Sequence, residues 1–487
     1  MTPESHDFDV VVVGCGVAGL SAAATASESG LRVAILERAP RAERGGNSRY
    51  TEAYLRMKSL DEPSDDFESH FAANAGGHLD PSLVALTTRD RESWPPLVKA
   101  MAFTDPDVIT TFAENAGPTL RWLETLGVRF ERLPTVFLTT STQRLMPIGG
   151  GLALVETLSS HLEGVGVPFF YGTTARDLIQ APDGAITGVR AVGARNRLIE
   201  FRGAVVLACG GFQGNAEMMA QYVGPRALYL RPVARGGHYN KGEGIRMGLA
   251  VGAAPCGDFG SWHAEPIDPR SGISEPAIFA YPYGVLVNQQ GQRFVDEASA
   301  TVDATYEAVT RHIFAQVGGI AYMIADAKLS DVPNYQRALR TDQPAIEAGS
   351  LRDLAGTLAV PAAAFTQTLE AFNAACRPGT FKPLEVDGLA TEGIAPPKSN
   401  WARPIDRPPF LAYPMISSNV FTFGGLKVTP NAEVVNNDGE VIRGLYAAGE
   451  TMGIYYGSYA GSTSVLRGLV FGRLAARHAA QLARAGR

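Results

Sequence analysis

Apolar and polar positions alternate along the chain in a few recurring patterns, and each pattern predicts an element. Residues 9–13 (DVVVV) are a near-continuous apolar β-branched run, as a strand buried on both faces requires. An alanine-rich stretch over 17–29 carries the spacing of a buried helix, and LRVAILE (31–37) is a second apolar run ending on an acid, Glu37. Two later segments, GAVVLACGGFQGN (203–215) and GEVIRGLYAAGE (439–450), read as buried strands that end in glycines. From about 256 to 409 the pattern changes. There YGVLVNQQGQRFVDE (283–297) places apolar runs on either side of Gln289-Gln290-Gly291, a hairpin pattern, and helical periodicity covers about 304–316 and 361–376. A last apolar helix follows GETMGIYYGSYAGSTS (449–464). No repeat or low-complexity linker divides the chain, so domains follow from the order of elements. Buried strands fall in 10–50, 149–250 and 420–480, so the middle is expected to be an insertion that returns to the same sheet.

Composition narrows the class. A chain of 487 residues, 45% hydrophobic and with 53 glycines, is long enough for two domains and a large core. The net charge of -6 is spread without a basic stripe, which excludes nucleic acid and an anionic membrane as expected partners. Four cysteines (15, 209, 256 and 376) lie far apart with no Cys-x-x-Cys pair, so neither a zinc site, an iron–sulfur site nor a disulfide framework is expected, and a reducing cytoplasm fits. The polar start MTPESHDF has no signal-peptide pattern, and the most apolar window, 10–26, is broken by three glycines, so no stable membrane insertion is expected.

The clearest chemistry lies between the first strand and helix, where Gly14-x-Gly16-x-x-Gly19 stands. Gly14 permits the tight turn, Gly16 lets the backbone approach a pyrophosphate, and Gly19 lets helix and strand pack closely, with the helix N-terminus facing the phosphates. Glu37, eighteen residues beyond Gly19, ends the second strand where a carboxylate accepts ribose hydroxyls. Strand, triplet, helix, strand and acid together predict a dinucleotide site. The fingerprint alone leaves NAD and FAD open.

The closing segment resolves that choice through a resemblance. Gly449-Glu450 and the strand before it resemble the flavoproteins of the fumarate reductase and succinate dehydrogenase group. RGGNSRYTEAYLRM (44–57), LACGGFQGN, NAACRPGTFKP (373–383) and WARPIDRPPF (401–410) resemble their FAD-dependent tricarballylate dehydrogenase branch. The resemblance implies an α/β Rossmann-like FAD-binding domain, residues 1–255 and 410–487, with an inserted α+β capping domain, 256–409, that closes substrate against the flavin. It implies a cofactor set of Gly14, Gly16, Gly19, Glu37, Arg38, Gly45, Gly46, Asn47, Ser48, Ala175, Gly210, Gly211, Gly449, Glu450, Ser464 and Val465. Because RGGNSRYTEA holds no histidine, the FAD is expected to be non-covalent.

Catalytic candidates are set by where this chain departs from those relatives. Phe423, with Thr422 before it, stands where they place a carboxylate-binding histidine, and Ala298-Ser-Ala-Thr301 stands where they place a proton-donating arginine. Tyr459 replaces a third arginine and resembles the tyrosine that polarises a ketone in 3-ketosteroid dehydrogenases. Its hydroxyl can donate to a developing enolate, or its ring can simply pack on the flavin edge. Tyr455 and Tyr456 read as wall. His263, in GSWHAEP, is placed like a substrate-binding histidine of the family, or is an ordinary packed residue. Arg403 has the planar fork that suits a carboxylate, or pairs with Asp406 to pin a hinge. Arg467, in the last helix, faces either substrate or solvent. The other histidines, 6, 70, 78, 161, 238, 312 and 478, show no ligand spacing, so no metal is expected.

The expected function is an FAD-dependent oxidoreductase acting on CH–CH groups, a dehydrogenase that introduces a C=C bond next to an electron-withdrawing group of a small, tricarballylate-like carboxylate. Dehydrogenation of a cyclic ketone or 3-ketosteroid is the alternative within enzymes, and a flavin electron carrier without a small-molecule substrate is the alternative outside them. One fingerprint and no second Rossmann unit imply no direct use of NADH, and leave the electron acceptor unnamed.

Overall fold

The computed structural model describes residues 4–74, 86, 93–99, 104–132, 138 and 144–485. Its first sheet has eight strands. Six follow the order Glu433–Val435, Val441–Ala447, Leu198–Leu207, Glu4–Val13, Val33–Glu37, Phe169–Tyr171, and the pair Thr174–Gln180 and Ile186–Val192 branches from Leu198–Leu207. The four central pairings are parallel, with Val13 beside Leu36 on one side and Leu207 on the other, and Ala447 beside Leu207. The valines at 10–13 are buried on both faces, which is why that segment reads as an unbroken apolar run.

Small residues then govern how the helices lie on this sheet. The first helix, Val17–Glu28, buries Ala22, Ala23, Ala24 and Ala26 completely and packs against the final helix, Ser464–Ala485. A Cβ on Gly19 would stand 2.0 Å from the Gly14 carbonyl oxygen, and one on Gly472 would stand 2.3 Å from that of Ala18. Both contacts require the absence of a side chain. The carboxyl ends of the parallel strands, at Val13, Glu37 and Ala208, open on one cleft, the crevice where ligands bind in open α/β sheets.

The inserted region builds a six-stranded sheet of its own. Phe410–Asn419 lies at its centre, antiparallel to Ile320–Asp326, to Pro266–Ile267 and to Ile346–Ala348, and parallel to the short Arg231–Pro232. Val285–Asn288 flanks Ile320–Asp326. The helices Val302–Ala315 and Ala362–Ala375 fall within a residue or two of the periodicity that predicts them. The chain passes between the two regions on paired short strands, Pro255–Cys256 against Gly425–Leu426 and Trp262–His263 against Phe421–Thr422.

One expectation about this region changes, and the bounds 256–409 become a proposal. The second sheet takes in Arg231–Pro232 before residue 255 and runs past residue 409. Its centre is the Phe410–Asn419 strand, so we propose to place the return to the FAD domain after Asn419. The segment 283–297 is a hairpin only at its tip. Val285–Asn288 pairs with a distant strand, and the second arm contributes a single bridge, Val287 to Arg293. That arm is held by side chains instead. The buried Glu297 accepts the Leu286 N–H at 2.8 Å and pairs with Arg293 at 2.7 Å. No helix among the described residues is long and apolar enough to cross a membrane.

Candidate functional site

The cleft at the strand ends spans about 1240 Å³, its open mouth included. Its floor is the glycine turn. Gly14 has φ +108°, and a Cβ there would sit 2.4 Å from the Ala208 carbonyl oxygen, so the strand-to-helix turn closes only around glycine. The helix that follows has no cap from its own N-cap residue, Gly16. Its Val17 N–H reaches Ser48 Oγ at 3.3 Å, and Val17 and Ala18 at its start line the cleft.

Glu37 is buried beside this turn. Its two oxygens accept the N–H groups of Cys15, at 2.9 Å, and Ala39, at 2.7 Å. Burial pushes its carboxyl up, and those two backbone donors pull against the shift. Arg38 lines the cleft while its guanidinium pairs with Glu243 at 2.8 Å. On the opposite wall Glu450 is held from four directions, by the Thr422 N–H at 2.8 Å and hydroxyl at 3.1 Å, by Asn240 at 3.2 Å and by Gln213 at 3.3 Å. Burial raises its carboxyl too, opposed first by the Thr422 N–H and then by the charge of Arg467.

Of the sixteen residues expected to hold the cofactor, fourteen line this cleft; Gly19 and Gly211 do not. Gly19 is the contact of helix on turn, and Gly211 clears room for Thr422 Oγ1 and Glu450 Oε1, which a Cβ would meet at 2.1 and 2.2 Å. The cleft fits FAD on its own chemistry. It offers a fronting helix N-terminus for phosphates, a carboxylate at the strand end for a ribose diol, and three cleft residues with buried atoms lacking a hydrogen-bond partner, Asn47 Oδ1, Glu275 Oε2 and Arg467 Nε.

The three expected catalytic residues do not converge on the cleft, and none of them lines it. The Tyr459 hydroxyl accepts the N–H groups of Thr463, at 2.9 Å, and Ser464, at 3.0 Å, and donates to Ser464 Oγ at 3.0 Å. It caps the final helix, and its ring packs at 4.3 Å from His263 and 5.1 Å from Phe421. Tyr456 accepts the Gly257 N–H at 2.9 Å and so pins the crossing strands, and Tyr455 stacks on Phe71. His263 is buried, its Nε2 is 2.7 Å from the Tyr306 hydroxyl, and its Nδ1 has no partner. Burial, then the nearby Arg311, lowers its pKa to about 3, so it is neutral and offers no charge to a carboxylate. Arg403 pairs with Asp331 at 2.8 Å and lies 3.7 Å over the Phe381 ring on the cap, while Asp406 pairs with Lys328. It is not among the residues that line the cleft. Among the described residues no group of histidines, cysteines and acids could hold a metal; His78 lies outside them.

Two charged cleft residues outside the expected set stand out: Glu275, and Arg467, whose helix position left it between substrate and solvent. Glu275 lines the cleft, adopts φ +56°, and ion-pairs with Arg340 at 3.3 Å, which pairs in turn with Glu52 at 3.1 Å. Burial raises its carboxyl to about 7, with the Arg340 charge opposing and Glu52 adding. A strained backbone and a carboxyl poised near neutrality in one cleft residue are the marks of a functional group. Nothing in SEPAIFA signals it, because its partners lie over 60 residues along the chain in one direction and over 200 in the other. Arg467 is the second. It is 1% exposed, lines the cleft, donates to the Met452 carbonyl at 3.2 Å and lies over the Tyr455 and Phe421 rings at 4.7 and 5.5 Å.

The family model described as FAD binding domain matches residues 9–466. The chain is 29% identical to an NADH:acrylate oxidoreductase of Vibrio harveyi over 97% of its own length and 50% of that protein, so it spans about half of that relative. It is 28% identical to a vinyl phenol reductase of Lactiplantibacillus plantarum over 99% of its length and 98% of that protein. Among solved structures, the 3-ketosteroid-Δ4-(5α)-dehydrogenase of Rhodococcus jostii RHA1 superposes over 99% of this chain and 100% of its own, with a TM-score of 0.68 and 25% identity.

Proposed function

The chain belongs to the FAD binding domain family, and on that premise we propose that it is an FAD-dependent oxidoreductase that moves hydrogen on or off a carbon–carbon bond of a small conjugated substrate. FAD supplies the two-electron chemistry when bound, and the residues lining the cleft hold it without a covalent bond, since Arg44–Met57 offers no histidine. The proton is the protein's task. Glu275 is the cleft carboxyl whose ionisation balances near pH 7, so it can take a proton during desaturation or give one during saturation. Arg340 behind it orients that carboxyl and stabilises its ionised form, while Glu52, paired to the same arginine, works against ionisation.

The observation that carries the substrate class is the aromatic wall beside the cofactor cleft, whose Phe421 and Tyr455 rings also lie under the Arg467 guanidinium. Phe421, Tyr455 and Tyr459 pack around a His263 that is uncharged. Such a wall suits a C–C bond conjugated to a carbonyl or an aromatic ring, and the full-length match to a vinyl phenol reductase supports it. The 3-ketosteroid reading belongs to the same class. A tricarballylate-like carboxylate is the second reading, supported by the strings at 44–57 and 401–410. Its expected anchors are a neutral histidine and an arginine on the cap. Of the two arginines in the cleft, only Arg467 has no acid partner.

The test is anaerobic absorbance spectroscopy of the purified protein. A cyclic ketone should bleach the oxidised flavin, and a vinyl arene or enone should restore colour to the dithionite-reduced protein. Bleaching by tricarballylate alone would move the assignment to the second reading, and no response to any of the three would remove the activity.

A further inference from the structure

Arg467 is a buried positive charge in no ion pair, and the cleft acid its charge acts on, Glu450, is held by other donors. Among the described residues no carboxylate lies within ion-pair distance of it, its Nε has no hydrogen-bond partner, and its one side-chain bond goes to a neutral carbonyl, Met452 O. The aromatic faces of Tyr455 and Phe421 repay part of the lost hydration. A buried guanidinium left in this state is costly unless something that enters the cleft is negative. The other charged cleft residues do not share this property. Arg38 is neutralised by Glu243, and Glu37, Glu275 and Glu450 are acids.

We propose that Arg467 is the counterion of the reduced cofactor and sets its reduction potential. The proposal rests on the reading that FAD accepts a hydride here, and concerns how readily it does so. In that step two electrons and one proton leave a substrate C–H bond for FAD, whose charge becomes more negative by one, while the substrate's second proton passes to the cleft carboxyl. A fixed positive charge in the cleft is attracted more strongly to the cofactor after this step than before it. It therefore favours reduction without touching the substrate.

The experiment is a reductive titration of the FAD-loaded protein against dyes of known potential, which needs no substrate and so stands or falls apart from the substrate assignment. Arg467→Met should retain FAD and lower the two-electron midpoint by about 30 mV or more, a tenfold change in the reduction equilibrium. Arg467→Lys, which keeps the charge and loses the fork, should recover at least half of that shift. If the methionine variant does not fold, Arg467→Gln carries the same neutral comparison. A neutral variant that binds FAD with an unchanged midpoint overturns the proposal. So does a lysine variant shifted as far as methionine, since packing rather than charge would then be responsible. An unchanged midpoint with loss of bleaching only by a carboxylate would make Arg467 a substrate anchor instead.

Discussion

At the level of single residues, two buried side chains near the cleft have opposite responses to pH. His263 titrates at about 3 in the fold against an ordinary 6.5, so the stability it contributes is present above pH 6.5 and is lost as pH falls toward 3. Glu275 titrates at about 7 against an ordinary 4.5, so its contribution is present below pH 4.5 and is lost as pH rises through 7. Between 4.5 and 6.5 the two oppose each other, each by about 1.4 kcal/mol per pH unit. Glu275→Gln removes one side of this balance. Its stability should fall by about 2 kcal/mol more than that of the wild type between pH 6.5 and 5, read from denaturant midpoints. Equal pH slopes in the two proteins would show that Glu275 is not the titrating group. The same variant should lose a pH inflection near 7 in the rate of flavin reduction and fall about 10²-fold or more in that rate. For desaturation the wild-type rate rises through the inflection, because the ionised carboxyl is the base.

Tyr459 caps the final helix. Its hydroxyl already accepts two N–H groups and donates once, so it has little left for a substrate. Tyr459→Phe should cost about 1–2 kcal/mol of stability, as loss of a helix cap does, and should leave the bleaching rate within about threefold of the wild type. A loss of about 10²-fold in rate with stability unchanged would restore it as the group that polarises the substrate.

Among elements, the decisive contact is the first helix on the turn that precedes it. Gly19→Ala puts a methyl group 2.0 Å from the Gly14 carbonyl, a rigid backbone atom, and the helix must lift. The cost should exceed the usual 1–3 kcal/mol of overpacking, and FAD occupancy should fall because the helix N-terminus retreats from the cleft. The measurements are thermal midpoint and flavin content of the purified variant. Occupancy equal to the wild type would mean that the turn, not the helix, holds the phosphates. The element reading was most legible here, since a buried parallel strand, a small-residue helix and an acid at the next strand end each leave a local pattern. It was least legible at 283–297, where apolar alternation mimics a hairpin but the pairing partner is supplied by Ile320–Asp326.

Across the whole molecule, cap and FAD domain meet at a carboxylate. Glu307, on the cap helix Val302–Ala315, accepts the Tyr459 N–H at 3.0 Å and pairs with Arg311 at 3.0 Å. Burial raises its carboxyl and the Arg311 charge opposes that rise. Glu307→Gln weakens a charge-assisted bond by about 1.5 kcal/mol, so backbone hydrogen exchange over 457–463 should quicken about tenfold while FAD stays bound. Unchanged exchange would place the hold between the two regions elsewhere, in the crossing strands.

The sequence by itself determined the cofactor end of this protein. Gly14, Gly16, Glu37 and Glu450 sit at strand ends, and the chemistry of a dinucleotide site is written in short segments whose geometry each segment enforces alone. The surroundings of Tyr459, His263 and Arg403 were decided only in the folded chain. A tyrosine in a glycine loop, a histidine after a tryptophan and an arginine before a proline carry no record of what lies opposite them. The fold put a helix N-terminus against the first, excluded water from the second and gave the third an aspartate on the cap. Glu275 and Arg467 come from the same limit in reverse. Each is one charged residue in an ordinary stretch, and each becomes chemically distinct only because segments far apart in sequence bury it at a shared cleft, where desolvation and the choice of neighbour set the charge.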